Sequence, residues 1–237
     1  MDWSTLLQGR KNAVFLGEAG CGKSELAMNL SLSLARAGKT VHLFDMDQTK
    51  PLFRSRDAAS LLRAGGVQFH YEEQFADAPT LVGGVTPALL DGESYAVLDV
   101  GGDYIGARAV GGFAHLLKRP DTAVFYVINC YRAWSGDLLS IDGTLSAVLK
   151  AARLQQVQFL ANPNLGVQTT GRELLEGLAQ TKELLAPYAA VQAGFAPEQL
   201  AAEAEAESPL PLIPIRLYLG YPWQEATCNA ETNAGGV

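Results

Sequence analysis

Cysteine is scarce in this chain of 237 residues. Cys21, Cys130 and Cys228 are the only three, and no two of them form a C-x-x-C pair. That excludes a disulfide framework and a zinc site built from one chain. Long apolar runs are also missing, since no window approaches the roughly 18 residues that a membrane-spanning helix needs. The opening MDWSTLLQGRKNAVFLG lacks the charged-then-apolar layout of a secretory leader, and a reducing cytoplasm is the expected location. Positive charge is in deficit: 18 Lys and Arg against 25 Asp and Glu give a net charge of −7. A broad attraction to nucleic acid or to an anionic membrane is therefore not expected, although a local basic patch stays open.

What is present is a globular composition, 48% hydrophobic and 18% charged, in a chain long enough to bury a large core. Short β-like apolar runs alternate with longer helical patterns. Strands are expected over 12–17, 40–47, 67–71, 95–102, 122–130, 157–164 and 211–219. The prolines of the last run put it at an edge or make part of it loop. Helices are expected over 23–37, with Leu26, Leu30 and Leu34 on one face, and over 57–66, 105–118, 137–153, 169–186 and 197–206. Alternating strands and helices imply right-handed crossovers and an α/β fold, a mostly parallel sheet with helices on both faces. No internal repeat and no linker interrupts the pattern. One domain is expected over 1–237, with a flexible tail from about 224 whose residues are small and polar.

The stretch GEAGCGKS, Gly17 to Ser24, satisfies G-x-x-x-x-G-K-[ST] between an expected strand and an expected helix. Each residue type has a chemical reason. Glycines let the loop turn backbone N–H groups inward around phosphate oxygens, and the helix N-terminus adds its partial positive charge. Nucleotide contacts are expected from Gly17, Ala19, Gly20, Cys21, Gly22, Lys23, Ser24 and Glu25. Lys23 is expected to reach the β- and γ-phosphates and the Ser24 hydroxyl to ligate Mg²⁺.

Three strand ends supplement the loop. LFDMD puts Asp45 and Asp47 at the end of the second strand, facing the crevice outside the strand C-termini. There one carboxylate can order Mg²⁺ and the other can orient or deprotonate an attacking water; alternatively, both cap the following loop. YAVLDVGG ends its strand at Asp99, followed by two glycines, the layout of a Walker-B aspartate that holds Mg²⁺ indirectly. ANPN places Asn162 after the sixth strand, where its amide can read an adenine edge or the segment can simply turn. No N-K-x-D guanine-reading sequence occurs, which favours adenine.

Together these residues resemble the MinD/ParA group of P-loop ATPases (SIMIBI class), over most of positions 12–165. The resemblance implies a three-layer fold and a Mg-ATP-dependent switch, usually a nucleotide-sandwich homodimer, that acts on a protein partner whose identity the sequence does not give. Residue by residue it implies phosphate and magnesium contacts at Lys23 and Ser24, switch-I roles for Asp45 and Asp47, Walker B at Asp99 and base contact at Asn162. In this reading Lys23, Asp47 and Asp45 are the catalytic candidates, and Ser24, Asp45 and Asp99 the metal-binding ones.

Three departures from the group stand out. Glu18 occupies the position where the group carries a second, signature lysine. The C-x-x-C of metal-carrying relatives is missing, leaving Cys21 as a small loop residue or a thiol activated by a helix N-terminus. Residues 223–237 contain no Lys or Arg, unlike a basic membrane-binding helix. Lys50, Arg54 and Arg56 form either a solvated surface or a cation source that offsets Glu18. His42, His70 and His115 are scattered, and Trp134 and Trp223 read as packing. Two other functions stay open: an ATP-binding regulatory or scaffold protein with little hydrolysis, and an ATP-dependent ligase or kinase on the same fold.

Overall fold

The central strand β1 (Asn12–Gly17) is buried along its whole length, which its run of NAVFLG requires. It lies between β4 (Tyr95–Asp99) and β5 (Thr122–Ile128). A computed structural model describes residues 1–47, 58–71 and 82–219 of the chain. The remaining strands among these residues are β2 (Val41–Asp45), β3 (Gln68–His70), β6 (Gln158–Ala161), β7 (Val191–Pro197) and β8 (Leu212–Ile215). The sheet order is β3-β2-β4-β1-β5-β6-β7-β8, and every adjacent pair is parallel. The expected α/β architecture with a mostly parallel sheet is the one observed.

Alternation along β1 divides the core. Val14 and Leu16 face one side of the sheet, and Ala13 and Phe15 face the other. The second side is covered by α1 (Trp3–Leu7), α2 (Lys23–Arg36) and α3 (Ala59–Ala64), with Leu26, Leu30 and Leu34 of α2 all buried there. The first side is covered by α4 (Val85–Leu90), α5 (Tyr104–Gly111), α6 (Ala114–Leu117), α7 (Leu138–Ala152), α8 (Gly171–Leu185) and α9 (Glu198–Ala204). The strands after β1 run to one side of it as far as β3. From β5 onward they run to the other, so the chain reverses direction about β1. In open parallel sheets that reversal opens a crevice at the strand C-termini, where ligands bind.

Several elements differ from the sequence expectation. The expected helix 105–118 is two, α5 and α6, separated at Gly112 and Phe113. Helix α1 was not expected; it is only five residues, capped by Asp2 accepting from Thr5 N–H at 2.8 Å. Helix α4 was also not expected. Strand β7 was missed because VQAGFAP is full of small residues. Tertiary packing explains them: a Cβ at Gly194 would run into Leu178 of α8, so glycine lets the helix settle on the strand. Strand β8 is at the sheet edge with Pro214 exposed, as its prolines require. The segment of Lys50, Arg54 and Arg56 and the expected flexible tail from about 224 lie outside the described residues.

Candidate nucleotide site

The loop after β1 is built by glycines in backbone regions that side chains avoid. Gly17, Gly20 and Gly22 have φ of +139°, +76° and +94°. A Cβ at Gly17 would strike the Val127 carbonyl of β5, so the loop leaves the sheet pressed against the neighbouring strand. Gly22 is the N-cap of α2, and no side chain caps that end. The first-turn N–H groups of a 14-residue helix are thus left for another acceptor, the arrangement that suits a phosphate.

Lys23 opens α2 and is buried. Its amine donates to the Glu18 carbonyl oxygen at 2.9 Å and lies 3.8 Å from the Cys21 sulfur. The lysine therefore folds back across its own loop. The Glu18 carboxyl is pushed above the usual carboxylate range by partial burial, against the opposing pull of Lys23 and of the Thr144 hydroxyl on α7. Cys21, within the loop, is fully buried, Cys130 beyond β5 is buried, and neither is in a disulfide.

Parallel register places Asp45 directly beside Asp99, at the ends of β2 and β4. Both are buried, as is Asp47 two residues on. The Asp45 carboxylate accepts from Asp47 N–H at 3.0 Å. Asp99 is different: both of its carboxylate oxygens are buried without a hydrogen bond. Burial, followed by repulsion from Asp45, pushes its pKa up to about 7. Ser24 and Lys23 are near enough to pull it down, but neither makes a well-formed hydrogen bond to it. The Asp47 carboxylate rests on Gly101, where a Cβ would come within 3.1 Å of Oδ1, so the first glycine of DVGG makes room for an aspartate from the neighbouring strand end.

This donor set fits Mg²⁺. The ion takes oxygen ligands, keeps several waters, and is held by one or two carboxylates with the phosphates rather than by a full protein cage. Among the described residues no group of three or more His, Cys, Asp or Glu is arranged to hold a metal. Asp99, unsatisfied and beside the Ser24 hydroxyl, supplies a hard oxygen whose buried charge a cation would stabilise.

Two residues expected at the nucleotide are placed otherwise by their side chains. Asn162 is buried at the end of β6, and its amide nitrogen donates to the Cys21 carbonyl at 2.8 Å. It supports the loop from below. Glu25 points away from the loop: its two oxygens accept from Tyr218 N–H at 2.5 Å and Leu219 N–H at 3.2 Å. Burial pushes its pKa up to about 7 despite those two bonds. Sequence reading also passed over Asn129, Asn164 and Arg132. Asn129 donates to Asn164 O at 2.8 Å and accepts from Asn164 N–H and Tyr131 N–H, tying the ends of β5 and β6 together. The available signal was position, since polar residues directly after a buried parallel strand sit on the ligand-binding edge of the sheet.

A glycine loop between a central parallel strand and an uncapped helix, with buried aspartates at the two adjoining strand ends, defines a P-loop nucleotide-binding domain. The chain belongs to the family described as the CobQ/CobB/MinD/ParA nucleotide binding domain, whose model matches residues 13–192. No curated protein sequence matches it. Among solved structures it is similar to the signal recognition particle 54 kDa protein of Aeropyrum pernix K1 in complex with GDP, with TM-score 0.48 and 19% identity over 73% of this chain and 39% of that one. It is similar to the cell division protein FtsY of Thermotoga maritima, with TM-score 0.42 and 19% identity over 65% and 52%. A third is the BceF tyrosine kinase domain, with TM-score 0.44 and 19% identity over 65% and 69%. This chain thus spans less than two thirds of the first two neighbours.

Proposed function

We propose that this protein is a Mg-ATP-binding and hydrolysing switch of MinD/ParA type that acts on a protein partner. The observation that carries the reading is the unsatisfied Asp99 carboxylate, buried beside Ser24 and Lys23 under a glycine loop that opens an uncapped helix. An anion on the loop would satisfy the orphan helix donors, and a cation held at Asp99 would stabilise the buried carboxylate. In this reading Lys23 leaves the Glu18 carbonyl for the phosphates. Ser24, Asp45 and Asp99 would hold Mg²⁺, which would neutralise charge on the phosphates. Asp47 positions the attacking water. Adenine is preferred because no guanine-reading N-K-x-D occurs in the chain.

A partner is supported by the rim of the site. Tyr104, Ile105, Trp134, Leu139, Leu165 and Val167 are exposed large hydrophobics, and all follow the C-terminal ends of β4, β5 and β6. Apolar groups on the ligand-binding edge suit a surface that another protein covers when nucleotide is bound. Unpaired cysteines and the lack of a membrane-spanning helix among the described residues are in keeping with a cytoplasmic role.

A second reading, nucleotide binding with little hydrolysis, is favoured by Glu18, whose partly buried carboxyl lies near Lys23. Calorimetry with Mg-ATP and Mg-GTP, followed by phosphate-release kinetics, decides between them. Binding of Mg-ATP in preference to Mg-GTP with turnover supports the switch. Binding without turnover supports the second reading, and no binding of either nucleotide defeats both.

A further inference from the structure

We propose that Arg132 is a second phosphate-binding cation of this site, held against the rim of the P-loop by the chain itself. The proposal rests on the nucleotide-binding reading above. The first consideration is charge. Glu18 lies partly buried in the loop and Asp99 is buried nearby, with Lys23 close to both. A bound polyphosphate adds several negative charges at the loop, and a further cation on its rim offsets part of them beside Lys23 and Mg²⁺.

Arg132 approaches from the side opposite the aspartates, out of the segment that follows β5. Its Nε donates to the Gly20 carbonyl oxygen at 3.2 Å. A Cβ at Gly20 would lie 3.2 Å from Nε, 3.5 Å from Cζ and 3.7 Å from Cδ, so the guanidinium and its stem lie against the loop where the glycine leaves space. Among the described residues it is the only arginine that bonds to the P-loop. Others are engaged elsewhere: Arg119 with Asp121, Arg172 with Glu176 and Arg216 with Glu198. No carboxylate pairs with Arg132 among the described residues. Its Nε is committed to the loop, which leaves the two Nη groups, a planar fork that matches two phosphate oxygens.

The backbone that presents it is held from both sides. Arg132 N–H donates to Asn129 O at 3.0 Å, and Arg132 O accepts from Ser135 N–H at 2.9 Å. The preceding Tyr131 donates its N–H to Asn129 Oδ1 at 3.2 Å and its hydroxyl to Glu173 O of α8 at 2.5 Å. Asn129, fully buried, locks this turn to the end of β6 through Asn164. A solvated surface arginine has no such anchoring. A cation fixed in place before the ligand arrives gives up little ordering entropy on binding.

The test is calorimetry of Mg-ATP and Mg-ADP with wild type, Arg132→Ala, Arg132→Lys and Arg132→Gln. The expected result is a loss of about ten- to a hundredfold in affinity for Arg132→Ala, the range for a hydrogen bond to a charged group. Arg132→Lys recovers only part of the loss because a point charge lacks the fork. Arg132→Gln keeps a donor for Gly20 but no charge, so it also loses affinity; it serves as the decisive variant if Arg132→Ala fails to fold. Millimolar guanidinium restores binding to Arg132→Ala without improving wild type, a rescue that a merely structural role would not give. A loss confined to ATP puts the fork on the terminal phosphate, and a loss shared with ADP puts it nearer the loop. Folded variants that match a nucleotide-binding wild type overturn the proposal and leave the nucleotide reading intact. Failure of wild type itself to bind overturns both.

Discussion

The side-chain amide of Asn162 fills the space that any side chain at residue 22 would need. A Cβ built on Gly22 lands on Asn162 Nδ2, the atom that donates to the Cys21 carbonyl at 2.8 Å. Gly22 also has φ of +94°, so a substitution there is strained twice. The P-loop is thereby clamped to the end of β6, well away from it in sequence.

Gly22→Ala is expected to abolish nucleotide binding and lower the melting temperature, because the methyl group displaces the Asn162 amide and the backbone resists. Asn162→Ala should lower stability by about 1–3 kcal/mol, the cost of leaving a buried carbonyl without its donor. In the double variant Gly22→Ala with Asn162→Ala the collision is gone, and the backbone strain and the unsatisfied Cys21 carbonyl remain. Its loss should be smaller than the sum of the two single losses, as a double-mutant cycle by urea unfolding will show. Strict additivity would mean that the two residues do not share this space.

Lys23→Ala removes the buried amine that faces both the loop and Asp99. Mg-ATP affinity is expected to fall by about 2–5 kcal/mol, the cost of truncating one partner of a desolvated charge contact. Calorimetry reads the loss directly, and an unchanged affinity would be incompatible with a phosphate role for this residue.

Asp47→Asn retains size against Gly101 but cannot take up a proton from water. Turnover is expected to fall by roughly 10²- to 10⁴-fold, with a much smaller change in ATP affinity, the pattern of a group that acts in the transition state. Phosphate release under saturating Mg-ATP measures it. A shift in affinity with turnover intact would instead make Asp47 a binding residue.

Glu25 gives the stability of the nucleotide-free protein a pH dependence. Its carboxyl is raised from 4.5 to about 7 by burial, so the folded state takes up a proton that the unfolded chain releases. Its contribution to stability is full below pH 4.5 and is lost as pH rises toward 7, a change on the order of 3 kcal/mol. Glu25→Gln carries no proton, so the difference in unfolding free energy between wild type and variant should shift by that amount between pH 4.5 and 8. Urea unfolding across that range is the measurement. A difference independent of pH would show that the carboxyl titrates normally.

The local pattern of the chain was enough for most of the fold and for the centre of the site. Buried parallel strands are continuous apolar runs, so β1, β2, β4, β5 and β6 are legible from composition alone, and alternation with helical periods implies their parallel pairing. The loop from Gly17 to Ser24 is equally legible, because phosphate binding needs glycines, a lysine and a hydroxyl at fixed spacing along one stretch of chain. Strand β7 was not legible: its glycine and alanines are there for the sake of Leu178 on another element. The side chains of Asn162, Glu25 and Arg132 were decided in the same way. Asn162 finds Cys21 at 141 positions' distance, Glu25 finds Tyr218 at 193, and Arg132 finds Gly20 at 112. Such partners are chosen by which strand ends the sheet order makes neighbours, and sheet order depends on the packing of both faces at once. Sequence therefore determined what the loop is made of, and the tertiary structure decided which distant side chains support it, turn away from it or rest upon it.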